Sequence, residues 1–209
     1  MPPVYDQGQL GSCTANASGA ALQYKREQEN KSDFVPSRLF IYYNTRNLEG
    51  TTSSDSGASI RDTIKSVSIY GGPDESLWPY DISKFDIQPP QAAYDSGLLD
   101  RAVKYQRIAR QSIAFKQCLA SGNPIVVGIS VYESFETIGS DGIGNLPNRT
   151  EQLLGGHAVL IVGYDNSTQR FTFRNSWGSN WGKNGYFTLP YAYMSNKHLS
   201  SDFWTISLV

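Results

Sequence analysis

The chain has 209 residues, 39% hydrophobic and 18% charged, which is apolar enough to build a sizeable core and too apolar for disorder. Its 18 basic and 19 acidic residues leave a formal net charge of -1, so neither nucleic acid nor an anionic membrane surface is an expected partner. Two cysteines exclude a dense disulfide framework, and no apolar run reaches the length of a membrane span.

The first segment, Gln7-Gly8-Gln9-Leu10-Gly11-Ser12-Cys13, is a turn that opens onto a helix from Cys13 to about Tyr24. Ala15, Ala17, Gly19, Ala20 and Ala21 thin that helix, which suits an element closely approached by others. A second helix follows Pro36, and a third begins after Ala58 and stops at Gly71-Gly72-Pro73. Between them, Thr51 to Gly57 reads as a polar loop, and Gln88-Pro89-Pro90-Gln91 as an irregular surface stretch. Near residue 105 the pattern changes. A helix at about Ser112–Ser121 precedes strands at Ile125–Val131, His157–Tyr164, Arg170–Asn175 and Tyr186–Leu189. Helices first and strands later predict an α+β protein, with a helical lobe over 1–105 and an antiparallel β-sheet lobe over 106–209. A ligand cleft between two such lobes is the expected site.

Cys13 falls at a helix N-terminus, where the first N–H groups and the dipole favour an anion and so the reactive thiolate. The same N–H groups suit a developing oxyanion. Taken alone, Cys13 reads equally well as a small buried hydrophobe. His157 and Asn175 lie on two strands around the polar turn Asp165 to Thr168, opposite or next to opposite one another. An amide oxygen there accepts one imidazole N–H, fixes the tautomer and leaves the other nitrogen for a thiol. A lone His at a strand end is ordinarily structural; one carried to an Asn by its own hairpin is a candidate base. Cys118 reads as an inert buried thiol and His198 as an exposed loop residue. No Cys/His spacing matches a zinc site, and no cofactor is implied.

These segments resemble the papain and cathepsin peptidases. Gln7 to Cys13 is similar to the family's Q-x5-C segment, and Gly156-His157-Ala158 to its histidine strand. Asn175-Ser176-Trp177-Gly178-Ser179-Asn180-Trp181-Gly182-Lys183-Asn184-Gly185-Tyr186 resembles its N-S-W-G-x-x-W-G-x-x-G-Y block. The resemblance implies a papain-like fold and a cysteine endopeptidase that hydrolyses peptide bonds through a thioester acyl-enzyme. It makes Cys13 the nucleophile, His157 its base, Asn175 the group orienting the His, and Gln7 an oxyanion donor beside the Cys13 N–H. Trp177 would shield the His157–Asn175 bond and Trp181 would line the leaving-group side. Ser56, Gly57, Ala58, Gly128, Gly156, Ser201 and Asp202 would wall a substrate pocket. Two alternatives share the fold: an acyl transferase or peptide ligase, and an idle peptide-binding module. The implied partners are a peptide or protein substrate and an inhibitory pro-segment outside this chain. Leu10 and Thr14 stand where the family has Cys and Trp, so the usual disulfide of this loop is missing and packing is expected to hold it.

Overall fold

The computed structural model describes residues 1–31, 33–99 and 104–208. Residues 32, 100–103 and 209 of the two expected lobes lie outside the described residues. In chain order the elements are α1 (Cys13–Gln28), α2 (Arg38–Glu49), α3 (Ile60–Tyr70), α4 (Gln91–Gly97), β1 (Lys104–Arg107), α5 (Ser112–Ala120), β2 (Ile125–Tyr132) and α6 (Glu133–Glu136). Then come β3 (Leu153–Asp165), β4 (Arg170–Arg174), β5 (Tyr186–Pro190), α7 (Tyr191–Ser195) and β6 (Ser200–Ser207). They form two compact units, one of Gln7–Gln106 with Met1–Pro2 and Ile206–Val209, the other of Pro3–Asp6 with Arg107–Thr205.

In the first unit, α1 stays helical through its polar end and is buried along most of its length. A Cβ at Gly19 would lie 3.6 Å from Arg38 Cγ and 3.7 Å from Ile41 Cδ1, so small residues let α2 come close. Ser37 caps α2 by accepting from Phe40 N, and Gly50 closes it in the left-handed conformation with φ 73. Ser59 caps α3 in the same way through Asp62 N. α3 stops at Gly71, where φ is 76 and only glycine fits, because an added Cβ would lie 1.8 Å from the Gly97 carbonyl oxygen. Leu22, Leu39, Phe40, Ile41, Tyr42, Ile64 and Val67 form the core here. Gln91, read as part of an irregular stretch, instead opens α4; Pro90 sits at its N-cap, ahead of the first turn.

The sheet has the order β1-β6-β2-β3-β4-β5. Inward residues of β2, Val127 and Ile129, meet Phe115, Phe171, Phe173, Phe187 and Phe203 in one apolar cluster. In the β3–β4 hairpin, Asp165 accepts from Ser167 N, Ser167 Oγ and Thr168 Oγ1, and the turn ends with Gln169 at φ 55. Those bonds hold the Asp165 carboxyl below its ordinary range. The N-terminal Pro3–Asp6 segment belongs to this unit: Tyr5 O accepts from Gly178 N at 2.9 Å, and Asp6 bridges Trp177.

Candidate active site

Cys13 is the first residue of α1, a 16-residue helix whose first turn holds no acidic residue and whose N-cap Ser12 makes no side-chain capping bond. The thiol is therefore placed where the helix dipole favours an anion, with no carboxylate in that turn to compete. Gln7 is buried, its Nε2 donating to Leu10 O at 3.0 Å. Ser12 N donates to the same carbonyl at 2.7 Å, so Leu10 pins both ends of the turn.

The expectation that packing alone holds this turn is corrected by the structure. Gly11 N donates to both carboxylate oxygens of Asp55, at 3.1 and 3.0 Å. Tyr42 Oη donates to Asp55 Oδ1 and accepts from Gly57 N at 3.1 Å. Burial, then the Asp55 hydrogen bond, raises the Tyr42 hydroxyl far above its ordinary range. Arg46, fully buried against the Tyr42 ring, donates to Thr52 O and Ser54 O and so shapes the loop that carries Asp55.

In the second unit, His157 pairs with Ile129 on β2 and is 7% exposed. Leu160 faces Arg174, so the hairpin register sets Asn175, just past β4, on a diagonal to His157. Diagonal neighbours on one sheet face remain within side-chain reach. Asn175 Oδ1 lies 2.7 Å from His157 Nε2 and also accepts from Ser176 N at 2.9 Å. The backbone donor fixes which end of the amide is oxygen, so Nε2 carries the proton and Nδ1 is the basic nitrogen. Burial pushes His157 down to about 4, with the Asn175 bond acting the other way. Burial by itself thus favours the neutral imidazole. Asn175 Nδ2 is buried without a hydrogen-bond partner among the described residues, a cost borne at the site itself.

Trp177 stacks on the imidazole with centroids 4.9 Å apart and the planes inclined by 29°. Trp181 meets Trp177 edge-on at 5.1 Å, and its Nε1 donates to Glu136 O. Phe135 also packs edge-on to His157, a neighbour the sequence did not single out. Among the wall candidates, Ser56 is exposed, Gly57 adopts φ 70, and Ala58 is half-buried. Gly128 pairs with Ala158 on one side and Ser201 on the other, and a Cβ on Gly156 would meet nothing within 4 Å. Asp202, at φ 58 in a bulge of β6, accepts from Trp204 Nε1 at 2.6 Å. Among the described residues no group of three or more His, Cys, Asp or Glu could hold a metal. No helix among them is long and apolar enough to cross a membrane.

A family model described as papain family cysteine protease matches residues 1–202. The chain belongs to the papain family of cysteine proteases. It is 46% identical over 215 residues to an uncharacterized peptidase C1-like protein of Acanthamoeba polyphaga mimivirus, covering 98% of this chain and 69% of that one. To cathepsin K of Gallus gallus it is 31% identical over 197 residues, covering 90% of this chain and 55% of the relative, so it spans only part of these proteins. The crystal structure of xylellain, a cysteine protease from Xylella fastidiosa, superimposes with a TM-score of 0.93 at 44% identity, covering 100% of this chain and 84% of that one. This papain-family chain is accordingly a cysteine-type peptidase with a papain-like α+β fold.

Proposed function

We propose that Cys13, His157, Asn175 and Gln7 carry the activity, and that the chain is an endopeptidase acting through a thioester. His157 Nδ1 takes the Cys13 thiol proton, the thiolate adds to the scissile carbonyl carbon, and the carbonyl electron pair moves onto oxygen. The Gln7 amide and the Cys13 N–H stabilise that oxyanion. His157 Nδ1 passes a proton to the leaving amine as the C–N bond breaks. Nδ1 then takes a proton from water, which adds to the thioester and displaces the thiolate. The observation that carries this reading is Asn175 Oδ1 held between His157 Nε2 and Ser176 N, which dedicates Nδ1 to proton transfer.

We further propose that the substrate residue preceding the donor of the scissile carbonyl is apolar, and that Gly128 and Gly156 leave room for Leu or Phe. The Asp202 carboxylate is engaged by Trp204, which supports a wall without a preference for Arg. Pocket preferences of this kind are worth about 1–3 kcal/mol per methylene, so selectivity should be broad. Domain roles follow the same proposal, with residues 1–105 supplying the nucleophile and 106–209 the base, and an inhibitory pro-segment completes it.

Cys13→Ala should abolish turnover of a peptide library, and Gln7→Ala should cost roughly 10²–10³ in rate. An epoxysuccinyl peptide should label Cys13 alone. Turnover in Cys13→Ala at the wild-type rate would overturn the mechanism, and a strict demand for Asp or Glu in the pocket would overturn the specificity.

A further inference from the structure

Beneath the turn that carries Gln7 and Cys13 runs a hydrogen-bond chain whose direction can be worked out link by link. It begins at an ion pair. Arg38 donates from Nε and Nη2 to the two carboxylate oxygens of Glu75, at 2.9 and 2.8 Å. Its Nη1 donates to Asn16 Oδ1 at 3.2 Å, and because guanidinium has no acceptor, the Asn16 oxygen must face Arg38. The Asn16 amide nitrogen then faces Ser12, lying 3.0 Å from both Ser12 O and Ser12 Oγ. Ser12 Oγ thus accepts from Asn16, and its own proton is directed to Tyr80 Oη, 2.5 Å away. Tyr80 in turn donates to the backbone carbonyl of Gln7 at 2.9 Å. Ser12 and Asn16 are buried, as is Arg38, which stacks on the Tyr80 ring at 4.0 Å. Burial raises the Tyr80 hydroxyl above its ordinary range, so it keeps the proton it donates.

One phenolic oxygen therefore joins the backbone of Gln7 to the residue immediately before Cys13. We propose that Tyr80 is a positioning residue for the oxyanion site, setting the separation between the Gln7 amide and the Cys13 N–H. The inference rests on the roles given above to Gln7 and Cys13. Donors aimed at a developing charge lose their effect when displaced by a fraction of an ångström, whereas substrate binding is little affected. Linked polar groups also strengthen one another, so cutting one link loosens the rest.

Tyr80→Phe deletes the hydroxyl and keeps the ring on Arg38. With a peptide substrate, kcat should fall about tenfold while KM stays within about twofold. Alkylation of Cys13 by iodoacetamide needs no oxyanion donor, and its rate should change by less than about twofold. In a Gln7→Ala background the same substitution should cost less than about twofold, since the donor it positions is already gone. A tenfold loss in both backgrounds, a change in KM alone, or parallel losses in turnover and alkylation would each overturn the proposal. If Tyr80→Phe does not fold, Ser12→Ala cuts the chain one link earlier and should show the same non-additivity with Gln7→Ala; additive losses would overturn it. Activity surviving in Cys13→Ala would instead refute the underlying mechanism, so the two failures are separable.

Discussion

His157 shows how two local forces set one protonation state. Burial lowers it from an ordinary 6.5 to about 4, and the Asn175 carbonyl opposes that shift without reversing it. In the proposed mechanism the Cys13 thiolate acts in the same direction as Asn175. Removing the thiolate should expose the effect of burial, so in Cys13→Ser the imidazole should titrate near 4 by NMR. Stability then follows with a definite sign. Between about 4 and 6.5 the unfolded chain binds the proton that the folded chain refuses, so stability rises with pH. The contribution is complete above 6.5 and is lost as pH falls through about 4, a difference of roughly 3 kcal/mol. Urea midpoints of Cys13→Ser and Cys13→Ser/His157→Gln, compared at pH 7.5 and 4.5, test this. Equal pH dependence in the two would show that His157 is not the group responsible.

At the scale of elements, the loop before α1 is held by a carboxylate 44 residues away, through the two bonds from Gly11 N to Asp55. A Cβ on Gly11 would lie 3.0 Å from Asp55 Oδ1, so Gly11→Ala must displace the carboxylate or the turn. It should destabilise the protein by about 1–2 kcal/mol, and Asp55→Ala by about 1 kcal/mol because that side chain is exposed. Chemical denaturation measures both; values near zero would show the tether to be incidental. This contact marks where the sequence stops being readable. The helix at Cys13, the strand at His157 and the turn at Asp165 were legible because periodicity and turn chemistry are local. The His157–Asn175 pairing was legible for the same reason, since a short hairpin joins them, although a bulge between Ile161 and Gly163 altered the register. Asp55 and Tyr80 were not legible. An isolated Asp in a polar loop and a Tyr after Pro79 carry no signal until the fold brings them to Gly11 and Ser12. β1, with every residue exposed, has no alternation to read, and the bulge at Asp202 disrupts that of β6.

Across the whole molecule, cohesion rests on burial and hydrogen bonds, because neither Cys13 nor Cys118 is in a disulfide. Cys118 sits on α5 with its Sγ 3.4 Å from Asn123 O, a packed position with no evident chemistry. The first unit buries Leu22, Leu39, Phe40 and Ile64; the second buries Phe115, Phe171, Phe173 and Phe203, with Phe115 and Phe203 centroids 4.6 Å apart. A native disulfide in a small domain contributes roughly 2–5 kcal/mol, and for a chain of this size each kcal/mol moves Tm by about 2–4 °C. A molecule with a bridge would therefore lose at least about 4 °C on reduction, whereas this one should lose nothing measurable. Thermal unfolding should superimpose with and without a thiol reductant. Both cysteines should react with a chromogenic disulfide reagent in guanidinium, without prior reduction, giving the 2 thiols the sequence contains. Cys13→Ser should repeat the reductant result, separating the fold from any oxidation of the nucleophile. A reductant-dependent fall in Tm of more than about 4 °C in that variant would mean that a covalent link stabilises the chain.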